Sequence, residues 1–170
     1  MAITTANLKL GRATVTYNSI DLGETAGDGV SLTINTDTHD TTIQKFGSSP
    51  VKKTLIGQTV SLSMTFAEYS QTNLAKFIPM ATLTTGSTED QVEVGNEAGV
   101  EMTASALVLH PVEMATDLSE DYNFHKVIIT NIDDIVFDVN NDRTLTITAE
   151  CIIDDSKDNN NKLFTIGISD

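Results

Sequence analysis

The chain is short of almost everything on which small-molecule chemistry is usually built. It has one cysteine, Cys151, in 170 residues. That excludes an internal disulfide framework and a cysteine-rich zinc site. The cysteine alternates with Leu145, Ile147, Ala149 and Ile153, which suits a small buried hydrophobe better than a nucleophile. Tryptophan is absent and aromatics make up only 5%, so a core has to be assembled from Val, Ile, Leu and Met. His39, His110 and His125 stand far apart and lack the His-Glu-x-x-His spacing of a metal site; each reads as a surface or strand residue. No nucleophile elbow is present. Gly23, Gly27 and Gly29 cluster, but they miss the spacing of a phosphate-binding loop and precede a strand rather than a helix. They read as turn chemistry. No enzyme class has a motif in its support, and no cofactor or metal is expected.

Basic residues are also scarce, at 10 against 24 acids, for a net charge of −14. Such a chain is repelled by nucleic acid and anionic membranes unless charge is locally concentrated. No run is long and apolar enough to span a bilayer. The opening Met-Ala-Ile-Thr-Thr-Ala-Asn has neither the basic nor the apolar region of a secretory signal. The expectation is synthesis in a cytoplasm and no membrane partner.

What the chain does have is alternation. Val60, Leu62, Met64 and Phe66 point one way and Thr59, Ser61, Ser63 and Thr65 the other, the period of a half-buried strand. The period then changes: Leu74, Phe77 and Ile78 make one apolar stripe on a short helix. Ser70 is placed to cap it, Tyr69 and Leu74 to staple it, and Pro79 to stop it. A helix is predicted over about residues 70–78, plugging one end or edge of a structure that is otherwise β.

Further strands are predicted at Arg12–Tyr17, Val30–Asn35, from Val92, over Ala104–Leu109 with both faces buried or close to it, and over Tyr122–Thr130. Ile135–Val139 and Arg143–Ile153 should form a hairpin across an Asn140-Asn141-Asp142 turn, and Leu163–Ile168 ends the chain as a strand. The expectation is a single domain, 1–170, with an N-terminal arm over 1–10, a long loop or hairpin over about 36–57 and a C-terminal segment over 155–170. The fold class is mainly β, a β-sandwich or incomplete barrel with one short α-helix. The acidic loops Asp138–Asp142 and Asp154–Asn161 lack the acid-and-glycine pattern of a calcium loop and read as solvated turns.

Charge is unevenly laid out. Between Glu113 and Asp158 twelve acids face three basic residues, whereas Thr41–Val60 carries Lys45, Lys52 and Lys53 and no acid. A positive loop and a negative body on one chain suit head-to-tail contact between copies. The predicted contact residues are Lys45, Gly47, Pro50, Lys52 and Lys53, reaching the acidic rim of a neighbouring copy.

In several stretches the chain resembles the tail tube, or major tail, proteins of tailed bacteriophages. These are Asp21–Val30, Lys45–Val51, Ile56–Val60, Met64–Glu68 with the helix after it, Leu107–Pro111, Asp121–Lys126 and Arg143–Ile147. The resemblance runs from about Asp21 to Ile168. It implies a subunit that assembles into hexameric rings whose inner sheets join into one channel. Rings stack around a tape-measure protein, meet tail terminator and baseplate or distal tail proteins at the ends, and let double-stranded DNA pass without binding it. It places the chain in a virion tail and leaves open whether a sheath surrounds the tube. Two other readings stay open: an inner-tube subunit of a contractile injection or type VI secretion system, and a monomeric acidic β-sandwich binding a ligand or calcium at its loops.

Overall fold

A computed structural model describes residues 11–67, 70–133, 135, 144–158 and 160–167. The arm 1–10, the Tyr69 half of the staple, the Asn140–Asp142 turn, most of the Ile135–Val139 strand and the acidic loop 138–142 lie outside those residues.

The elements in order are β1 (Ala13–Tyr17), β2 (Ile20–Thr42), β3 (Pro50–Phe66), α1 (Gln71–Phe77), β4 (Thr82–Thr85), β5 (Asp90–Glu93), β6 (Ser105–Pro111), β7 (Tyr122–Ile132), β8 (Leu145–Cys151) and β9 (Phe164–Ile166). Seven strands form one antiparallel sheet, in the order β6-β1-β2-β3-β8-β7-β9; β4 and β5 form a separate two-stranded sheet. β6 also pairs with the first half of β7, from Leu109 opposite Tyr122 to Ser105 opposite Val127. The sheet therefore curls around its apolar face into an incomplete barrel. The β2–β3 ladder carries a register shift between Thr25 and Val30.

Alternation puts the core where the sequence places it. Val60, Leu62, Met64 and Phe66 of β3 are buried together with Leu145, Ile147 and Ala149 of β8, and Val15 and Tyr17 of β1 join them. The helix supplies the plug. Ser70 Oγ accepts from the backbone N–H of Asn73 at 3.2 Å, satisfying one first-turn donor. Phe77 is fully buried and stacks on Phe66 with ring centroids 5.0 Å apart. Ile78, extended ahead of Pro79, ends the helix.

Four expectations are corrected. The Gly23–Gly29 stretch is not a turn between strands; β2 runs through it. Between the pairs Thr25–Phe66 and Val30–Met64, four residues on β2 stand against one on β3, and Gly27 and Gly29 take φ of 58° and 71° in that kink. β2 is accordingly 23 residues long rather than six. β6 is buried on one face only: Leu107 and Leu109 face the core, while Ala106 is exposed. β8 ends at Cys151; beyond it Ile153 is exposed, because the chain leaves the ladder for a turn that Asp154 organises.

Candidate assembly surface

Beyond the body, β2 and β3 continue as a two-stranded ribbon. From Thr33 to Thr59 every residue but Gly57 is exposed. Residues 36–57 are thus a hairpin, tipped by a single 3-10 turn at Gln44–Phe46 and by Gly47 at φ 63°. A ribbon of this kind is marginal in water unless something packs against it.

Its side chains are not those of a solvated loop. Of the twelve large apolar side chains exposed among the described residues, six lie here: Ile34, Ile43, Phe46, Val51, Leu55 and Ile56. Two are products of register. Asp37 faces Gly57 but Thr38 faces Leu55, so Ile56 is an extra residue; likewise Thr41 faces Lys52 and Thr42 faces Pro50, leaving Val51 unpaired. Each bulge bends the ribbon and offers an apolar residue that no cross-strand neighbour covers. On the core-facing side, Ile34, Leu55, Gln58 and Val60 form one wall of a groove of about 450 Å³. Asn160, Lys162, Leu163 and Phe164 form the other.

The hairpin brings the five sequence-singled residues to its tip. Lys45 sits in the terminal turn, its Nζ 5.7 Å from the centroid of the Phe46 ring. Gly47 closes that turn, and Pro50 begins β3 opposite Thr42. Lys52 and Lys53, as neighbours on a strand, point to opposite faces. Lys53 is not an unpartnered charge: its Nζ lies 3.1 Å from Asp40 Oδ1 across the hairpin. Sequence reasoning missed this pair, because a turn centred on Gln44–Gly47 counts Asp40 against Val51, and only the register shift between Thr41 and Thr42 brings Lys53 opposite it.

The opposing acidic surface is also partly committed within the chain. Asp121 is buried against His110. Asp154 is buried, accepts from the N–H and Oγ of Ser156, and has Lys126 Nζ 3.3 Å away. The Ser156 bonds foremost hold its carboxyl below the usual carboxylate range. Asp155 pairs with Lys162 at 2.9 Å. Glu113 and Asp117 stand exposed on the loop before β7.

The face of the sheet turned away from the core is a second distinctive surface. Reading across the strands, Ser31, Ser63, Thr148 and Asn131 form one row, and Thr33, Ser61, Glu150 and Ile128 the next. Thr65 and Thr146 are directly opposed, with their hydroxyls 2.9 Å apart. Glu150 is the one ionised group in these rows. Such a wall holds water through many weak, interchangeable hydrogen bonds and offers no cation to a phosphate.

No protein-family model matches the chain, and no curated protein matches it. Solved structures do. A chain of the sheath–tube complex of an extracellular contractile injection system, PVC, in its extended state, is 16% identical over 88% of this chain and 94% of its own, with a TM-score of 0.56. A chain of the anti-feeding prophage cap, described as the tube-terminating cap of AFP, is 15% identical over 88% and 94%, with a TM-score of 0.54. At these identities the likeness is one of fold: the chain has a tail-tube-like fold, mainly β with one short helix.

Proposed function

We propose that this chain is the repeating subunit of a phage tail tube. Copies form hexameric rings, the rings stack, and the resulting channel carries the genome out of the particle. The observation that carries this reading is that two strands, β2 and β3, supply both a hydroxyl-lined wall and a projecting ribbon with uncovered apolar side chains. A monomer has no use for the second feature, whereas a neighbouring copy can bury it. The short edge strand β9, paired to β7 alone among the described residues, offers a further backbone edge for a neighbour.

In the assembled tube the Ser/Thr face lines the lumen. Double-stranded DNA, and before it a tape-measure protein, passes a surface that has hydroxyls and Glu150 but no fixed cation in these rows. The lysine-bearing tip, with Lys45 and Lys52 foremost, meets the acidic loop of the next ring, with Gly47 and Pro50 fixing the turn that presents it. Tail terminator and baseplate or distal tail proteins cap the two ends, and a sheath is accommodated outside. The role is structural, without catalysis, and the location is the virion tail.

A second reading is an inner-tube subunit of a contractile injection system. It is favoured by the source of the two similar structures, one from such a system and one from an anti-feeding prophage. Negative-stain microscopy of the concentrated protein tests the shared core of both readings, with rings or tubes expected. A chain that stays monomeric at millimolar concentration and is absent from purified particles refutes both. Packaged DNA in particles that contain the chain separates the first reading from the second.

A further inference from the structure

The last residue but one of β6 carries a side chain that faces two acceptors and, when neutral, has only one proton to offer. His110 Nδ1 lies 2.6 Å from Asp121 Oδ1, and its Nε2 lies 3.0 Å from the carbonyl oxygen of Ala115. A backbone carbonyl only accepts, and so does an ionised carboxylate; a neutral imidazole carries a single N–H. Satisfying both contacts takes one proton more than a neutral ring and a carboxylate hold between them. We propose that His110 is a proton-operated clasp, which ties the 112–121 loop shut while charged and must let go of one partner when it loses its proton.

The loop is built so that both contacts matter. After Pro111 the chain makes one 3-10 turn, Val112–Met114, then reverses at Ala115, a non-glycine residue at φ 51°. That unfavourable conformation persists only where surrounding contacts hold it, and the His110 bond to the Ala115 carbonyl is one of them. The far end of the loop holds the C-terminal strand. The Asp121 carbonyl accepts the Gly167 N–H at 2.7 Å, and Asn123 Nδ2 donates to the Gly167 carbonyl at 3.3 Å. Gly167 lies so close that a Cβ there would stand 2.8 Å from the Ser119 carbonyl oxygen. The state of the clasp is therefore felt at β9.

The surrounding charges favour the protonated ring. Asp121 and Asp117 act on it directly, and Glu113 and Glu120 lie on the same loop. Just before the neighbouring β1 the guanidinium of Arg12 is engaged by Glu24 at 3.0 Å, and on β7 the residue after Asp121 is Tyr122. The hydrogen bond to Asp121 foremost, opposed by partial burial, holds the imidazole above its usual range. The contribution is therefore fully present below the unfolded-chain value of about 6.5 and is lost as pH rises through the folded value.

Amide exchange and imidazole ¹⁵N shifts of the full chain, followed from pH 5.5 to 9, test the clasp. Protection factors corrected for intrinsic exchange should fall at least tenfold at Asp117 and Gly167 as the ring deprotonates, with a midpoint above about 6.5, while Ile147 in β8 stays constant. In His110→Gln the two sites should be poorly protected and flat with pH. Constant protection in the unmodified chain, or the same pH dependence in the variant, overturns the proposal. Should the variant fail to fold, the unmodified chain still decides: an imidazole that titrates without a change at Gly167 overturns it. These measurements read one folded chain, so their outcome is separate from whether copies assemble.

Discussion

Replacing Leu55 and Ile56 together by serine removes apolar surface that the folded chain leaves in water. Leu55 is 57% exposed and Ile56 67% exposed, on a ribbon that contributes little to the core. Fully burying such a side chain contributes about 1.5–3 kcal/mol. Scaled by those exposures, the share still available to a partner is about 1–2 kcal/mol for each, or about 2–4 kcal/mol for the pair. At about 1.4 kcal/mol per factor of ten, each subunit contact should weaken by roughly 25- to 700-fold. Sedimentation velocity across a concentration series, with microscopy of the pelleted material, reads the shift as a higher concentration threshold for rings or tubes. Thermal melting should barely change, because neither side chain is buried in the monomer. Assembly at an unchanged threshold refutes the reasoning; so does a melting point lowered by many degrees, which would mean these residues support the chain itself.

Reversing the tip charges, with Lys45, Lys52 and Lys53 all changed to Glu, should permit rings but block their stacking, and unaltered tubes in micrographs would exclude the tip as the inter-ring contact. The Lys53 change alone should alter stability by less than about 1 kcal/mol, since its bridge to Asp40 is solvent-exposed. Phe77→Ala, which empties the helix plug against Phe66, should cost about 3–5 kcal/mol. That corresponds to a melting point lowered by about 6–20 °C for a chain of this size, by calorimetry. Cys151, its thiol pushed up to about 12 by burial, should react with a thiol reagent at pH 8 on the order of a hundredfold slower than in the urea-unfolded chain; equal rates would place it in open solvent.

The parts of this fold that can be read from sequence are those where one face is wet and the other dry. Val60–Phe66 announces itself because its hydroxyl residues point outward and its apolar residues pack against β8. Ser70 and Pro79 bracket the helix through local chemistry alone. The ribbon is harder to read because it is wet on both faces, so Thr33–Thr42 shows no period even though it is a strand. Gly27 and Gly29 mislead because positive φ serves a turn and a strand kink equally well. In β6, Ala106 and Val108 occupy the outward face, and apolar residues on both sides of a strand look like double burial. For the assembly surface, a lysine-rich tip is visible as composition. The Lys53–Asp40 pair and the extra residues Val51 and Ile56 depend on register, which only pairing fixes. The His110 clasp needs a partner eleven residues away, held there by the turn at Ala115.

The arm and the wall are the same pair of strands, and this has a mechanical consequence. A pull along the ribbon runs on within β3, past its two bulges and Val60, and passes directly into the rungs that bind β3 to β8. Those rungs lie across the direction of pull and share the load side by side, so they must yield together rather than one at a time. A chain grasped by its tip is therefore held by its own core.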